Sequence, residues 1–393
     1  MTAKKTSKIP SKKILVPSFD FKPQLGGVAH YVHELMTVMH HEYHCDIHIL
    51  ARHAEGAAAY DQASPFKITR IKTPSMAALA LPQWTQALWR LQKQLRPDSI
   101  FCPLWFPDAS AVYLAQKWGA PQTPYFIAAH AMEVVESEKT IKHFLRKKLI
   151  SHLKQQTLLN AEKIFPVSRY TKDLILQITQ TPESKLCVAN NGINTNIYKP
   201  LSTPTKDRFL KPTKNLLTVT RLNAYKGVDM VLRSLPSLLK QGLDIKYRVV
   251  GTGSDLTRLK KITADLSLNN HVEFLGALSQ EQIIHHYNAA DLFVLLSREE
   301  LPDVEGFGLV FLEAAACGLP SLGGASGGIP DAIDDQQSGW LVNPTEIAQI
   351  EKQLFTILSD PQKLAVVSAY CLQMVMRRSW SQTAQIIAGE MRV

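Results

Sequence analysis

The chain has 393 residues, 45% hydrophobic and 20% charged, with a formal net charge of +10. That length exceeds what one core organises and predicts two domains of just under 200 residues each, while the ordinary apolar content excludes a disordered chain. No window holds 18 uninterrupted apolar residues, so no spanning helix is expected, and five scattered cysteines without a Cys-x-x-Cys pair argue against a disulfide framework or structural zinc and suit a reducing compartment.

Residues 1–13 are basic and polar and run straight into Ile14-Leu15-Val16-Pro17, too short for a signal-peptide core. A cytoplasmic protein is therefore expected. The charge is uneven: residues 1–200 hold 25 Lys+Arg against 14 Asp+Glu, and residues 201–393 hold 19 against 20. A basic first half points to an anionic surface or substrate, whether phospholipid, nucleic acid or a phosphorylated acceptor. Residues 13–17 read as a first strand, residues 24–28 as a glycine loop with Gly26-Gly27-Val28, and residues 29–40 as a helix, with apolar side chains at Tyr31, Val32, Leu35, Met36 and Met39. Residues 44–50, 99–102 and 124–128 are further strands. Residues 139–160 predict a long basic helix carrying Lys139, Lys142, Arg146, Lys147, Lys148 and Lys154. It is either a surface helix with a solvated face or a helix lying on anionic lipid.

Pro200, Pro204 and Pro212 mark a linker. Residues 215–220 open a second alternating series, with strands at 247–250, 272–275 and 292–296, a weaker one at 319–322, and helices such as 227–239 and 279–289. Strand and helix alternation predicts parallel sheets covered by helices. The expected fold is α/β: two Rossmann-like, doubly wound domains facing a central cleft.

Chemistry concentrates in Glu305-Gly306-Phe307-Gly308-Leu309-Val310-Phe311-Leu312-Glu313. Glycines after the first carboxylate leave backbone N–H groups open, and the apolar run that follows reads as a helix, whose start is an anion site. A phosphate could sit there, with Glu305 on a sugar and Glu313, about two turns on, at a ribose diol. The competing view is two unrelated carboxylates beside a core helix. Arg221 and Lys226 follow the strand at 215–220, in Arg221-Leu222-Asn223-Ala224-Tyr225-Lys226-Gly227. A guanidinium and an ammonium there suit a diphosphate, although each alone could be a solvated surface cation, and the Walker Gly-Lys-Ser/Thr is missing. Ser326-Gly327-Gly328 suits close backbone approach. Val250-Gly251-Thr252-Gly253 is a weak signal by itself.

Taken in order, Gly26-Gly27-Val28, Ala129-His130, Val167-Ser168-Arg169-Tyr170, Asn190-Asn191-Gly192-Ile193-Asn194, Arg221 with Lys226-Gly227, Val250-Gly251-Thr252-Gly253 and the Glu305/Glu313 pair resemble the family 4 retaining glycosyltransferases of GT-B architecture over nearly the whole chain. The run 303–308 looks most like the phosphatidylinositol mannosyltransferase branch, whose members commonly use GDP-mannose. The resemblance implies a retaining hexosyltransferase that needs no metal or other cofactor. Arg221 and Lys226 would hold the donor diphosphate, Glu305 the transferred sugar and Glu313 the ribose. Gly306, Phe307, Gly308, Leu309 and Val310 would line the donor site, and Gly251 and Leu275 would border the base. Gly26 and Gly27 would approach the diphosphate, and His130 the sugar, with His130, Glu305, Arg221 and Lys226 as the catalytic set.

The implied domains are 1–198 on the acceptor side, 199–375 for the nucleotide sugar, and 376–393, including Met376-Arg377-Arg378-Ser379-Trp380, crossing back to the first domain. Two departures stand out: Asp331 replaces a common Glu, and Ala131-Met132 follows His130 where glycine is common. The expected partners are a nucleotide sugar, a lipid or glycan acceptor in cell-envelope synthesis and, through Lys142, Arg146, Lys147 and Lys148, the inner face of an anionic membrane. The sequence leaves GDP against UDP, and the acceptor, open. Rival readings are a UDP-sugar enzyme with a soluble acceptor, a non-hydrolysing sugar-nucleotide epimerase, or a binding module for RNA or membrane; no aromatic-rich RNA signature is present, so no nucleic-acid partner is expected.

Overall fold

The computed structural model describes residues 11–24, 26–139, 144–202 and 206–393. Two six-stranded sheets, all of whose paired strands run parallel, account for the strand runs of the sequence. The first contains β1 (Lys13–Ser18), β2 (Asp46–Arg52), β3 (Lys67–Ile71), β4 (Ser99–Cys102), β5 (Tyr125–Ala129) and β6 (Lys163–Pro166), in the order β3-β2-β1-β4-β5-β6. The second contains β7 (Thr213–Val219), β8 (Asp244–Val250), β9 (Val272–Gly276), β10 (Leu292–Leu295), β11 (Ser321–Gly324) and β12 (Gly339–Val342), in the order β12-β11-β10-β7-β8-β9. Counted within each sheet both orders are 3-2-1-4-5-6, the Rossmann winding, whose order reverses beside the first strand. β4, β5 and β10 are buried at every residue, as for strands covered on both faces.

By internal contacts the chain forms two units. The first comprises Met1–Pro166, Leu174–Ala189 and Thr383–Val393, and the second Val167–Asp173 and Asn190–Gln382. The chain thus passes between units at 166/167, 173/174, 189/190 and 382/383, while the sequence suggests boundaries at 198/199 and 375/376. The proline-rich stretch sits inside the second unit for a physical reason. The Arg208 guanidinium, from the turn Lys206–Leu210, donates to the carbonyls of Tyr287, Ala290, Cys317 and Gly318. Four carbonyl partners make a packed anchor, which proline content alone does not reveal.

Of the basic helix expected over 139–160, Phe144–Asn160 is helical and Lys139 ends the helix Met132–Lys139, while residues 140–143 lie outside the described residues. Lys142 lies outside the described residues, and so do the side chains of Arg146 and Lys147. Lys148 and Leu149 are exposed. Among the described residues no helix is long and apolar enough to cross a membrane.

Candidate active site

In open α/β sheets ligands bind beyond the carboxyl ends of the strands, where the strand order reverses. In the second unit that place lies between β7 and β10. The loop after β7 carries Arg221 and Lys226, and the loop after β10 carries Glu305. Lys226 ends a short 3-10 turn, and Gly227 follows at φ 69°. A Cβ there would stand 1.9 Å from the Leu296 carbonyl oxygen, so only glycine lets the two loops touch. Arg298 secures the same contact: its N–H donates to the Tyr225 carbonyl at 2.8 Å and its guanidinium meets Asp229 at 3.0 Å.

The Lys226 ammonium forms an ion pair with the Glu305 carboxylate, their side chains 9% and 17% exposed. The Ser297 hydroxyl lies 3.5 Å from the same carboxylate. Burial by itself disfavours a charged Lys226, but Glu305 and then Tyr225 outweigh it and hold the ammonium above its ordinary pKa. Lys226 is therefore cationic at neutral pH. Arg221, two residues past β7, is exposed, and among the described residues its guanidinium forms no hydrogen bond or ion pair.

Beyond Glu305, Phe307 is buried, and Gly308 takes φ 89° where the helix Leu309–Ala316 begins without a side-chain cap. The first-turn N–H groups, at Leu309 and Val310, carry partial positive charge into the same loop. Glu313 sits on this helix. Its Oε2 accepts the Tyr287 hydroxyl at 2.8 Å, and the Tyr198 hydroxyl lies near it. Burial pushes the Glu313 carboxyl above its usual range, and the hydroxyls of Tyr287 and Tyr198 pull it partway back. The sequence reading missed both tyrosines. Tyr287 lies in the helix Gln280–Ala289, where helical spacing marks it only as core.

Gly251, after β8, adopts φ 129°, and a Cβ on it would stand 1.8 Å from the Thr220 carbonyl oxygen. Gly253 would clash with the Leu222 carbonyl in the same way, at 2.3 Å. These glycines let the loops after β7 and β8 lie against each other. Leu275 is part-buried in β9.

In the first unit, the loop from β1 to the helix Gly27–His41 is held before any ligand is considered. Asp108, fully buried, accepts the Phe19 N–H at 3.0 Å and the Trp84 indole N–H at 3.2 Å. Arg70 is paired with Asp61 and donates to the Lys22 carbonyl at 2.6 Å, while Arg52 stacks on Phe19 with 4.6 Å to the ring centre. At the loop's end Gly26 and Gly27 are exposed, and nothing lies within 4 Å of where a Cβ would be.

His130 follows β5, its ring edge-on to Tyr31 at 4.9 Å. Its Nε2 is buried without a hydrogen-bond partner, and burial lowers its pKa to about 4 despite an opposing hydrogen bond with the backbone at Pro103. The imidazole is therefore neutral at pH 7, with one polar atom unsatisfied. Ala131, next in sequence and fully buried, is held at φ 82°, the left-handed conformation that glycine accepts without strain. The sequence-assigned residues thus form two sets. Arg221, Lys226, Gly251, Leu275, Glu305–Val310 and Glu313 belong to the second unit, and Gly26, Gly27 and His130 to the first.

Comparison with known proteins adds to this geometry. A family model described as "Glycosyltransferase Family 4" matches residues 25–197, and one described as "Glycosyl transferases group 1" matches residues 204–373. The GDP-mannose-dependent alpha-(1-6)-phosphatidylinositol monomannoside mannosyltransferase of Mycolicibacterium smegmatis is 28% identical over 369 residues, 90% of this chain and 91% of that protein. The GDP-mannose-dependent monoacylated alpha-(1-6)-phosphatidylinositol monomannoside mannosyltransferase of Corynebacterium glutamicum is 27% identical over 375 residues, 91% of this chain and 92% of its own. Among solved structures, HepE of Anabaena in complex with UDP aligns with a TM-score of 0.76 at 18% identity, covering 96% of this chain and 98% of that one. Sucrose-phosphate synthase of Thermosynechococcus elongatus aligns with a TM-score of 0.75 at 18% identity, covering 97% and 98%.

Proposed function

Because the chain belongs to the family 4 glycosyltransferases and has their GT-B architecture, we propose that it moves a hexose, with mannose from GDP-mannose favoured, onto a lipid or glycan acceptor of the cell envelope with retention of configuration. The observation that carries this is the Lys226–Glu305 pair at the switch point between β7 and β10. It sets a diphosphate-binding cation and a hydroxyl-accepting carboxylate side by side. The relatives in Mycolicibacterium and Corynebacterium, named for GDP-mannose and phosphatidylinositol mannosides, support the donor and the acceptor class.

In this proposal Arg221 and Lys226 bind the diphosphate and offset the charge that grows on it as it leaves. The open N–H groups from Gly306 to Val310 add to them. Glu305 orients the sugar hydroxyls beside the reacting carbon, Glu313 accepts from the ribose diol, and Gly251 and Leu275 border the base. Gly26 and Gly27 offer unobstructed backbone to the diphosphate or acceptor, and His130, neutral, presents an imidazole to the sugar. The bond from the anomeric carbon to the phosphate oxygen breaks while the acceptor oxygen bonds to that carbon from the same face. The acceptor's proton passes to the departing phosphate oxygen. Two cations already face the diphosphate, so no divalent metal is required. The basic residues Lys142, Arg146, Lys147 and Lys148 would hold the enzyme to anionic lipid on the cytoplasmic side of the membrane.

The test is binding of GDP, UDP, ADP and their sugar conjugates by calorimetry, without and then with magnesium. A ligand at 100 times its Kd stabilises the folded protein by about 2.7 kcal/mol. GDP and GDP-mannose are expected to bind without metal, and Arg221→Ala and Lys226→Ala to abolish the response. A preference for UDP would move the donor assignment. Silence towards every nucleotide would sink the transferase reading of the site.

A further inference from the structure

Asp331 was noted in the sequence only for standing where many relatives carry Glu. Its carboxylate is 7% exposed and fully engaged: Oδ2 accepts the Arg169 backbone N–H at 2.8 Å and the Asn190 side-chain amide at 3.2 Å, and Oδ1 accepts Arg169 Nε at 2.9 Å. The Asp331 carbonyl accepts the Arg378 guanidinium, which also reaches the Asp334 carboxylate. Arg169, Asn190 and Arg378 lie within five residues of the points where the chain passes between its two units. The Arg378 segment is itself fixed to the Asn190 segment. Its carbonyl accepts the Ile193 N–H at 2.8 Å, and a Cβ on Gly192 would stand 2.3 Å from the Trp380 nitrogen.

The other face of the same turn touches the donor loop. Asp331 belongs to the single turn Ile329–Ala332. The N–H of Gly328, just before it, donates to the Glu305 carbonyl at 2.8 Å. A Cβ on Gly327 would stand 2.4 Å from that carbonyl oxygen, and one on Gly328 would stand 1.9 Å from the Gly306 carbonyl oxygen. The backbone of Glu305 and Gly306 therefore rests directly on the turn that Asp331 anchors.

We infer that Asp331 is a positioning residue for Glu305, setting the backbone from which that carboxylate reaches the transferred sugar. This rests on the assignment of Glu305 to the donor sugar. Asp331 does not act on substrate itself, because both its oxygens are occupied and it is buried. Its alanine variant leaves the Arg169 N–H without its acceptor, reduces the Asn190 amide to its bond with the Val167 carbonyl, and frees the turn to shift. A misplacement of about 1 Å at a reacting centre costs roughly 100-fold in rate. Glutamate retains a carboxylate for the same donors.

The experiment pairs two readouts on Asp331→Ala, Asp331→Asn and Asp331→Glu. Hydrogen exchange at the Gly328 amide, which reports its bond to Glu305 directly, is expected to accelerate at least ~10-fold in the Ala variant while the amides of β10 stay protected, since the bond is released only by local opening. Turnover of GDP-mannose is expected to fall ~10- to 100-fold in kcat with KM changed less, with most of the rate restored by Glu. If Ala does not fold, Asn carries the test. Unchanged exchange at Gly328 in a folded variant overturns the inference whatever the donor proves to be. Faster exchange with unaltered turnover shows that Asp331 holds the loop without setting Glu305 for the reaction, which overturns the positioning role as well.

Discussion

Changing Tyr287 to Phe deletes one hydroxyl from the interior of the second unit and leaves the packing in place. The ring is fully buried against Phe293 and Tyr198, with centroids 5.8 Å and 6.4 Å away, contacts that a Phe ring keeps. The loss is the hydrogen bond donated at 2.8 Å to Glu313. A bond to an ionised acceptor contributes about 1.5–3 kcal/mol, and one between neutral groups about 0.5–1.5 kcal/mol. The deficit must therefore track the charge of Glu313.

Burial raises the Glu313 pKa, and the Tyr287 and Tyr198 hydroxyls oppose it, so the variant's pKa lies higher still. A carboxyl whose folded pKa exceeds its unfolded value binds protons more tightly when folded. Its contribution to stability then falls as pH rises from the unfolded pKa through the folded one and is flat above. In Tyr287→Phe the fall extends to higher pH. The expected deficit is about 2 kcal/mol at pH 8.5, shrinking towards about 1 kcal/mol where Glu313 is protonated.

Urea unfolding at pH 8.5 and at pH 5 measures this. A chain of two units need not unfold in one step, so the comparison belongs in a double-mutant cycle with Glu313→Gln, which cancels what the pair does not share. GDP affinity is expected to rise with pH through the same window, because in the proposed site a ribose diol needs the ionised acceptor. A deficit that ignores pH, or one below about 0.5 kcal/mol at pH 8.5, would refute the argument.

Two further outcomes follow from backbone geometry. Gly227→Ala places a methyl 1.9 Å from the Leu296 carbonyl oxygen at φ 69°, so strain and overpacking together should cost about 3 kcal/mol; thermal melting checks the loss, and calorimetry should show weaker GDP binding as the Lys226 loop is displaced. Ala131→Gly should be nearly neutral, within about 1 kcal/mol, because release from φ 82° is offset by a more flexible unfolded chain and a lost buried methyl. Ala131→Val should instead lower the melting temperature clearly.

What could be read from the sequence follows from how locally each feature is determined. The doubly wound class was legible, because an apolar run followed by a helical period specifies its own element, and repetition of that unit specifies a parallel sheet; β3, β6 and β12 were not read as strands. Lys226 and Glu305 were legible as residues, but their ion pair was not, since it depends on two loops 79 positions apart meeting at one switch point. The tyrosines beside Glu313 were missed for a related reason: an aromatic residue at core spacing looks the same whether its hydroxyl is idle or holds a carboxylate. The proline-rich stretch reads as a linker because proline marks the local backbone, whereas the Arg208 contacts that hold it in the second unit are tertiary.

The glycines show how the structure divides what the sequence merges. The sequence reads Gly26, Gly27, Gly251, Gly308, Gly327 and Gly328 alike, as openings for a ligand. For Gly251, Gly327 and Gly328 the fold already supplies the reason, a carbonyl oxygen within 2.4 Å of the missing Cβ, and Gly308 has both a positive φ and the Phe311 ring at 2.7 Å. Those four would be required in an empty protein. Gly26 and Gly27 are different: they stand in open space, and Gly26 has an extended φ that any residue adopts. Around them Asp108, Arg52 and Arg70 hold the preceding loop with buried or paired groups. A loop fixed that firmly ends in two glycines that its own packing does not require. Of the glycine assignments made from sequence, Gly26 and Gly27 are therefore the pair whose substitution by alanine separates binding from folding, since the alanine methyls meet no protein atom and only a ligand would register them.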